Sequence, residues 1–200
     1  EANNGQDITG LGRNLVKILP LRVINESGGP TDEPATTVDM LIEAVLYAAG
    51  LPNNTGTPSR TAQVISMSLG GNNGSYLGFE LGETVQEVEA RGITVVAAAG
   101  NDGAPRTDYP AKYPGVLAVG SLDGTNVRSE FSNYADMLDV VAPGGTSDGS
   151  GDTARAVLSL DYGGGTVTLS GTSMATPYVS GVVALMYAYN SEITPSEVYR

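Results

Sequence analysis

Histidine and cysteine are both absent from this 200-residue chain, and so is tryptophan. Without thiolates or imidazoles there is no disulfide framework, no cysteine nucleophile and no donor set of the kind zinc prefers. Hydroxyls, carboxylates, amides, Lys and Arg are what remains for chemistry. The lack of cysteine does not decide the compartment. Basic residues are scarce, 10 Lys+Arg against 22 Asp+Glu, and the resulting net charge of -12 repels phosphate backbones. Nucleic acid is therefore not an expected partner. No apolar run approaches the ~20 residues of a membrane span, so no membrane partner is expected either. The first residues, Glu1-Ala2-Asn3-Asn4, show neither the basic end nor the apolar segment of a signal peptide, and any such peptide would lie outside this chain.

What is present is 40% hydrophobic residues punctuated by 27 Gly and 11 Pro, the mark of short apolar runs joined by tight turns. Val16 to Ile24 reads as a strand, with Pro20 warning of an edge or an irregularity. Val38 to Ala49 carries apolar residues at helical spacing and stops at Gly50. Ala62 to Leu69, Ile93 to Ala99, Val116 to Val119 and Leu138 to Ala142 read as strands, and Leu81 to Arg91 as an amphipathic helix closed by Gly92. Ala156 to Leu160 and Thr166 to Leu169 flank Asp161-Tyr162-Gly163-Gly164-Gly165 and predict a hairpin. A long helix follows from about Ser173 to Tyr189, and Thr194-Pro195 spells a further helix start. Strands apolar on both faces, alternating with helices, imply an α/β fold with a mainly parallel sheet covered on both sides. In such sheets ligands bind beyond the C-terminal strand ends, where Leu69-Gly70-Gly71 and Gly100-Asn101 fall.

Two residues at those ends suggest chemistry. Ser173 opens the long helix within Ser170-Gly171-Thr172-Ser173-Met174-Ala175-Thr176-Pro177. A serine there is ordinarily a helix cap. Gly171 and Ala175 nevertheless clear space around the hydroxyl, and a helix N-terminus offers free N–H groups to developing negative charge. Asn101 after Gly100 is ordinarily a turn residue. Here it ends the small-residue run Val95 to Ala99, which delivers a carboxamide donor to the same sheet edge.

Four segments in this order resemble the subtilisin-like serine proteases, the subtilases: Val64 to Gly71, Val95 to Gly103, Tyr109 to Gly120 and Ser170 to Pro177. The resemblance covers nearly the whole chain and implies a three-layer subtilisin-like fold, with a central sheet flanked by helices and a small hairpin before the serine helix. It implies a secreted endopeptidase that cleaves protein or peptide substrates through an acyl-enzyme on Ser173, with Asn101 in the oxyanion hole. Ser68-Leu69-Gly70 and Ala98-Ala99-Gly100 would then be the edges between which a substrate peptide pairs as an added strand. The family's triad runs Asp, His, Ser along the sequence, so both partners of Ser173 would lie upstream of it. Residues 2–10 resemble the loop that follows the family's histidine helix. We therefore expect residues 1–200 to be one partial catalytic domain, cut short at both ends, whose missing N-terminal segment carries the Asp and His. Alone, the chain should be inactive.

The same N-terminal loop resembles the family's calcium site, with a side-chain oxygen from Asn4 and carbonyls from Ala2, Gln6 and Ile8, donors that suit calcium. Taken alone, Asn3-Asn4-Gly5 is equally an Asn-Gly turn. Asp108 aligns with the floor of the pocket for the residue before the scissile bond. A carboxylate there would favour Lys or Arg, unless Asp108 turns aside to pair with Arg106. Two other readings differ in class: a catalytically dead, peptide-binding or scaffold module, and a sedolisin relative, against which Asn101 argues because that group uses Asp at the oxyanion position.

Overall fold

A computed structural model describes residues 8–24, 36–56, 61–72, 74–146 and 155–200, without the side chains of residues 74–77. Within it, the short apolar runs become a four-stranded parallel sheet: β1 (Val64–Met67), β2 (Thr94–Ala98), β3 (Val116–Leu122) and β4 (Val140–Pro143), side by side in chain order. Helix α1 (Val38–Ala48) precedes β1, and α2 (Gly74–Ala90) connects β1 to β2. An antiparallel hairpin of β5 (Val157–Leu160) and β6 (Thr166–Leu169) follows β4. It leads into the long helix α3 (Thr172–Tyr189) and the single turn α4 (Pro195–Val198).

The two-residue alternation of each strand sorts side chains onto two faces. One face of the sheet, including Ile65, Met67, Val95, Ala97, Val116 and Ala118, packs with Leu41 and Val45 of α1 and with Leu81, Val85 and Val88 of α2. The other face, with Val96, Leu117, Val119 and Ala142, receives Ala175, Val179, Val183 and Tyr187 of α3. All five residues of β2 are buried, which is why that strand lacks any polar alternation. These two cores make the three layers expected from the sequence. Burying one such Val or Leu contributes about 1.5–3 kcal/mol.

The helix and strand boundaries fall within a few residues of those expected, apart from α2, which begins seven residues earlier than Leu81 and carries a non-helical Gly78. Gly50, at φ 70°, and Gly92, at φ 87°, follow α1 and α2 as the sequence implied. One expectation fails. Val16 to Ile24 forms no strand, and Ile18 is 86% exposed. Pro20 lacks a donor for a ladder, and no described strand lies alongside this segment to pair with it. A strand needs such a partner, so apolar content alone does not create one.

Candidate active site

The C-terminal ends of β1 and β2 meet the N-terminus of α3 in a cleft of about 700 Å³. Leu69, Gly70, Ala98, Gly100, Asn101, Asp108, Thr172 and Ser173 are among its lining residues. The sites singled out in four separate stretches of sequence therefore converge. Ser68 sits beside them, joined to Ser173 by a reciprocal pair. Its Oγ donates to the Ser173 carbonyl at 2.8 Å, and Ser173 Oγ donates to the Ser68 carbonyl at 3.2 Å. Ala99 is fully buried behind the rim and acts through its carbonyl, which accepts Asp108 N at 2.9 Å and Asn133 Nδ2 at 3.1 Å.

Asn101 is held by its oxygen. Oδ1 accepts the N–H of Thr172 at 2.8 Å and the Thr172 hydroxyl at 2.9 Å. With the acceptor end so occupied, Nδ2 is the end left to the cleft. Gly171 shows what lies beside it: a Cβ built on that glycine would lie 3.5 Å from Met174 Sδ, 3.6 Å from Asn101 Nδ2 and 3.7 Å from the backbone N of Ser173. The hollow that a side chain would fill is thus bounded by two N–H donors and by the Met174 sulfur. Ser173 N belongs to the first helical turn, whose amides have no partner within the helix. Two such donors beside a serine hydroxyl can stabilise an oxyanion formed when that hydroxyl adds to a carbonyl.

The turn bearing Asn101 is fixed from behind by Asn133, which is fully buried. Its Oδ1 accepts the N–H groups of Asp102 at 3.0 Å and Ala104 at 3.1 Å, and its own N–H donates to the Gly100 carbonyl at 3.1 Å. Gly100 has φ 108°, and a Cβ there would fall 2.2 Å from Asn133 Nδ2 and 2.3 Å from Asp108 Oδ2. Only glycine fits. Gly70 is constrained likewise, since a Cβ would lie 2.5 Å from the Tyr109 carbonyl oxygen. Sequence reasoning missed Asn133, which lies in Phe131-Ser132-Asn133-Tyr134 between strands and carries no local signal. It also missed Thr172, although that residue stands inside the motif around Ser173.

Asp108 takes the pairing with Arg106 that was one of the two readings open for it. It lines the cleft and is 5% exposed, and its Oδ1 accepts Arg106 Nε at 3.0 Å. Arg106 also pairs with Asp102. Of the expected calcium ligands, Ala2, Asn4 and Gln6 lie outside the described residues, and Ile8 alone is described. Among the described residues no group of three or more Asp or Glu is placed to hold a metal ion, and no helix is long and apolar enough to cross a membrane.

The subtilase family profile, Peptidase S8, matches residues 1–200, and the chain belongs to that family. It is 36% identical over 196 residues to alkaline serine exoprotease A of Vibrio alginolyticus, covering 97% of this chain and 31% of that protein. It is 37% identical over 158 residues to subtilisin Savinase of Lederbergia lenta, covering 74% of this chain and 55% of that protein. Among solved structures, a protease from Pseudoalteromonas arctica superposes with a TM-score of 0.86 at 30% identity, over 98% of this chain and 57% of that one. A cold-adapted subtilisin-like serine proteinase superposes with a TM-score of 0.67 at 33% identity, over 82% of this chain and 53% of that one. The chain thus spans about a third to a little over half the length of these relatives.

Proposed function

We propose that this chain supplies the nucleophile, oxyanion hole and substrate cleft of a secreted serine endopeptidase. The observation that carries the reading is the hollow at Gly171, flanked by Ser173 N and Asn101 Nδ2. In the reaction, Ser173 Oγ adds to the carbonyl carbon of the scissile peptide while the carbonyl oxygen takes up negative charge in that hollow. The Oγ proton passes to a base and then to the leaving amine, which departs as the acyl-enzyme forms, and water reverses the steps. Since the chain has no histidine, we assign the base and its carboxylate partner to an N-terminal segment of the same protease.

Substrate is read as a strand added to residues 68–70, with residues 98–100 as the opposite wall, since the backbone groups of Ala99 and Gly100 are already bonded. Leu69 and Gly70 make no backbone–backbone hydrogen bond among the described residues, and their free groups suit an added strand. The pocket beside Ser173, with Asp108 at its floor, takes the side chain before the scissile bond. A calcium ion on Asn4 and the carbonyls of Ala2, Gln6 and Ile8 would add stability by binding the folded state alone.

The test is active-site labelling of the full-length protease. A fluorophosphonate should label Ser173, and Ser173→Ala should remove both label and peptide hydrolysis. Labelling or hydrolysis that survives Ser173→Ala would refute the assignment. For calcium, excess chelator should lower the melting temperature, and an unchanged melting curve would remove the ion from the account.

A further inference from the structure

The floor of the cleft carries a charge that its nearest neighbours already answer. Asp108 is buried, its N–H is tied to the Ala99 carbonyl at 2.9 Å, and its Oδ2 crowds the empty side of Gly100. Its carboxylate is therefore fixed against the pocket wall. Arg106 lies two residues earlier with its side chain 37% exposed, and donates Nε to Asp108 Oδ1. Its terminal nitrogen reaches Asp102, whose side chain is 53% exposed. The other nearby cation, Lys112, sits over the ring of Tyr109, 5.4 Å from its centroid.

From this arrangement we propose that Arg106 determines specificity, and the proposal rests on the protease reading above. By pairing with Asp108 it neutralises the pocket floor, so that the enzyme prefers uncharged side chains before the scissile bond. Removing Arg106 exposes the carboxylate to the substrate. A buried carboxylate without a partner is costly, and a fork-shaped guanidinium satisfies it well. Arg106 is tethered two residues away, so it competes with a substrate cation at high effective concentration. A substrate Lys or Arg would have to shed water to join an ion pair that is already complete, with little left to gain. The third charge, on Asp102, also lines the cleft, but its side chain is the more exposed and is screened by solvent, so the inner pair governs the pocket floor.

The experiment uses the full-length protease and fluorogenic peptides that differ only in the residue before the scissile bond. Wild type should cleave after Leu or Phe better than after Arg or Lys. Arg106→Gln should raise the Arg-to-Phe ratio of kcat/KM at least about tenfold, the scale of one charge-assisted hydrogen bond. Adding Asp108→Asn should return that ratio to the wild-type value. Should Arg106→Gln not fold, Asp108→Asn alone leaves the guanidinium paired only with the more exposed Asp102, and should improve cleavage after Glu while Arg and Lys stay poor. A wild type that cuts after Arg or Lys as well as after Phe overturns the inference. So does a folded Arg106→Gln enzyme with an unchanged ratio, or an Asp108→Asn enzyme with no gain for Glu. A wild type that cleaves no peptide at all overturns the protease reading and this inference with it, whereas an unchanged ratio overturns this inference alone.

Discussion

Asn101 Oδ1 accepts two hydrogen bonds from Thr172, one from its N–H at 2.8 Å and one from its hydroxyl at 2.9 Å. A carboxamide has one acceptor end and one donor end. Fixing the first therefore aims the second, and the first helical residue of α3 decides which way the amide faces.

That relationship gives a graded expectation for the full-length protease. Asn101→Leu should lower kcat by about 10²–10³ and leave KM nearly unchanged, the loss measured when a subtilisin is deprived of one oxyanion donor. Thr172→Val keeps the backbone bond and loses the hydroxyl. The hydroxyl donates to Asn101 Oδ1 and accepts the Gly100 N–H at 3.3 Å, so the cost should be that of one to two ordinary hydrogen bonds, about 1–2 kcal/mol, or roughly five- to thirtyfold in kcat. Steady-state kinetics on both variants checks the order. A Thr172→Val loss as large as that of Asn101→Leu would mean that the hydroxyl does more than orient the amide.

The 200-residue chain by itself should be inert. Among the described residues Ser173 Oγ donates to the Ser68 carbonyl, at 3.2 Å, and a carbonyl cannot take its proton. Knocking out the histidine of a subtilisin costs about 10⁶ in kcat, again a measured value from that family. Purified chain treated with a fluorophosphonate should therefore show no covalent mass increase. Stoichiometric labelling of Ser173 without a second peptide present would reveal a base within these residues.

The sequence was most readable where one physical signal acted alone. The unbroken apolar run at Val95 to Ala99 could only be buried on both faces, and it is. Gly50 and Gly92 marked helix ends because positive φ is cheap for glycine. Ser173 and Asn101 stood out because they end such elements. Asn133 did not, because its three roles depend on Ala99, Asp102 and Ala104, which lie about thirty residues away. No spacing rule encodes contacts of that range. Val16 to Ile24 misled for a related reason: its apolar letters describe a strand's surface, while pairing is a property of the neighbour.

Asn133 should prove a stability residue as well as a positioning one. Asn133→Ala leaves the N–H groups of Asp102 and Ala104 and one bond to the Ala99 carbonyl unmade. At about 1–3 kcal/mol for a buried polar group left unpaired, the loss should reach at least about 2 kcal/mol. Urea unfolding of the chain measures it, and a midpoint shift equivalent to less than about 0.5 kcal/mol would show that water replaces the amide. Gly100→Ala should be worse, because its new Cβ would meet both Asn133 and Asp108.

Asp123 gives the chain an acid-sensitive contact ahead of the serine helix. Its Oδ1 accepts the Thr125 hydroxyl at 2.7 Å, the Thr125 N–H at 2.8 Å and the Val127 N–H at 3.1 Å. Its Oδ2 accepts Arg155 at 2.9 Å. The Thr125 hydroxyl foremost, then the two backbone N–H groups and Arg155, hold this carboxyl below the usual range. Bonds that favour the charged form stabilise the fold while Asp123 is ionised in both states, that is, above its unfolded value of about 3.9. The contribution fades as pH falls through the lower folded value. Melting temperatures of wild type and Asp123→Asn should therefore differ most above about pH 5, with wild type higher, and converge on acidification. Curves that run parallel down to pH 2 would show that the carboxyl titrates alike in the folded and unfolded chain, and that these four bonds do not depend on its charge.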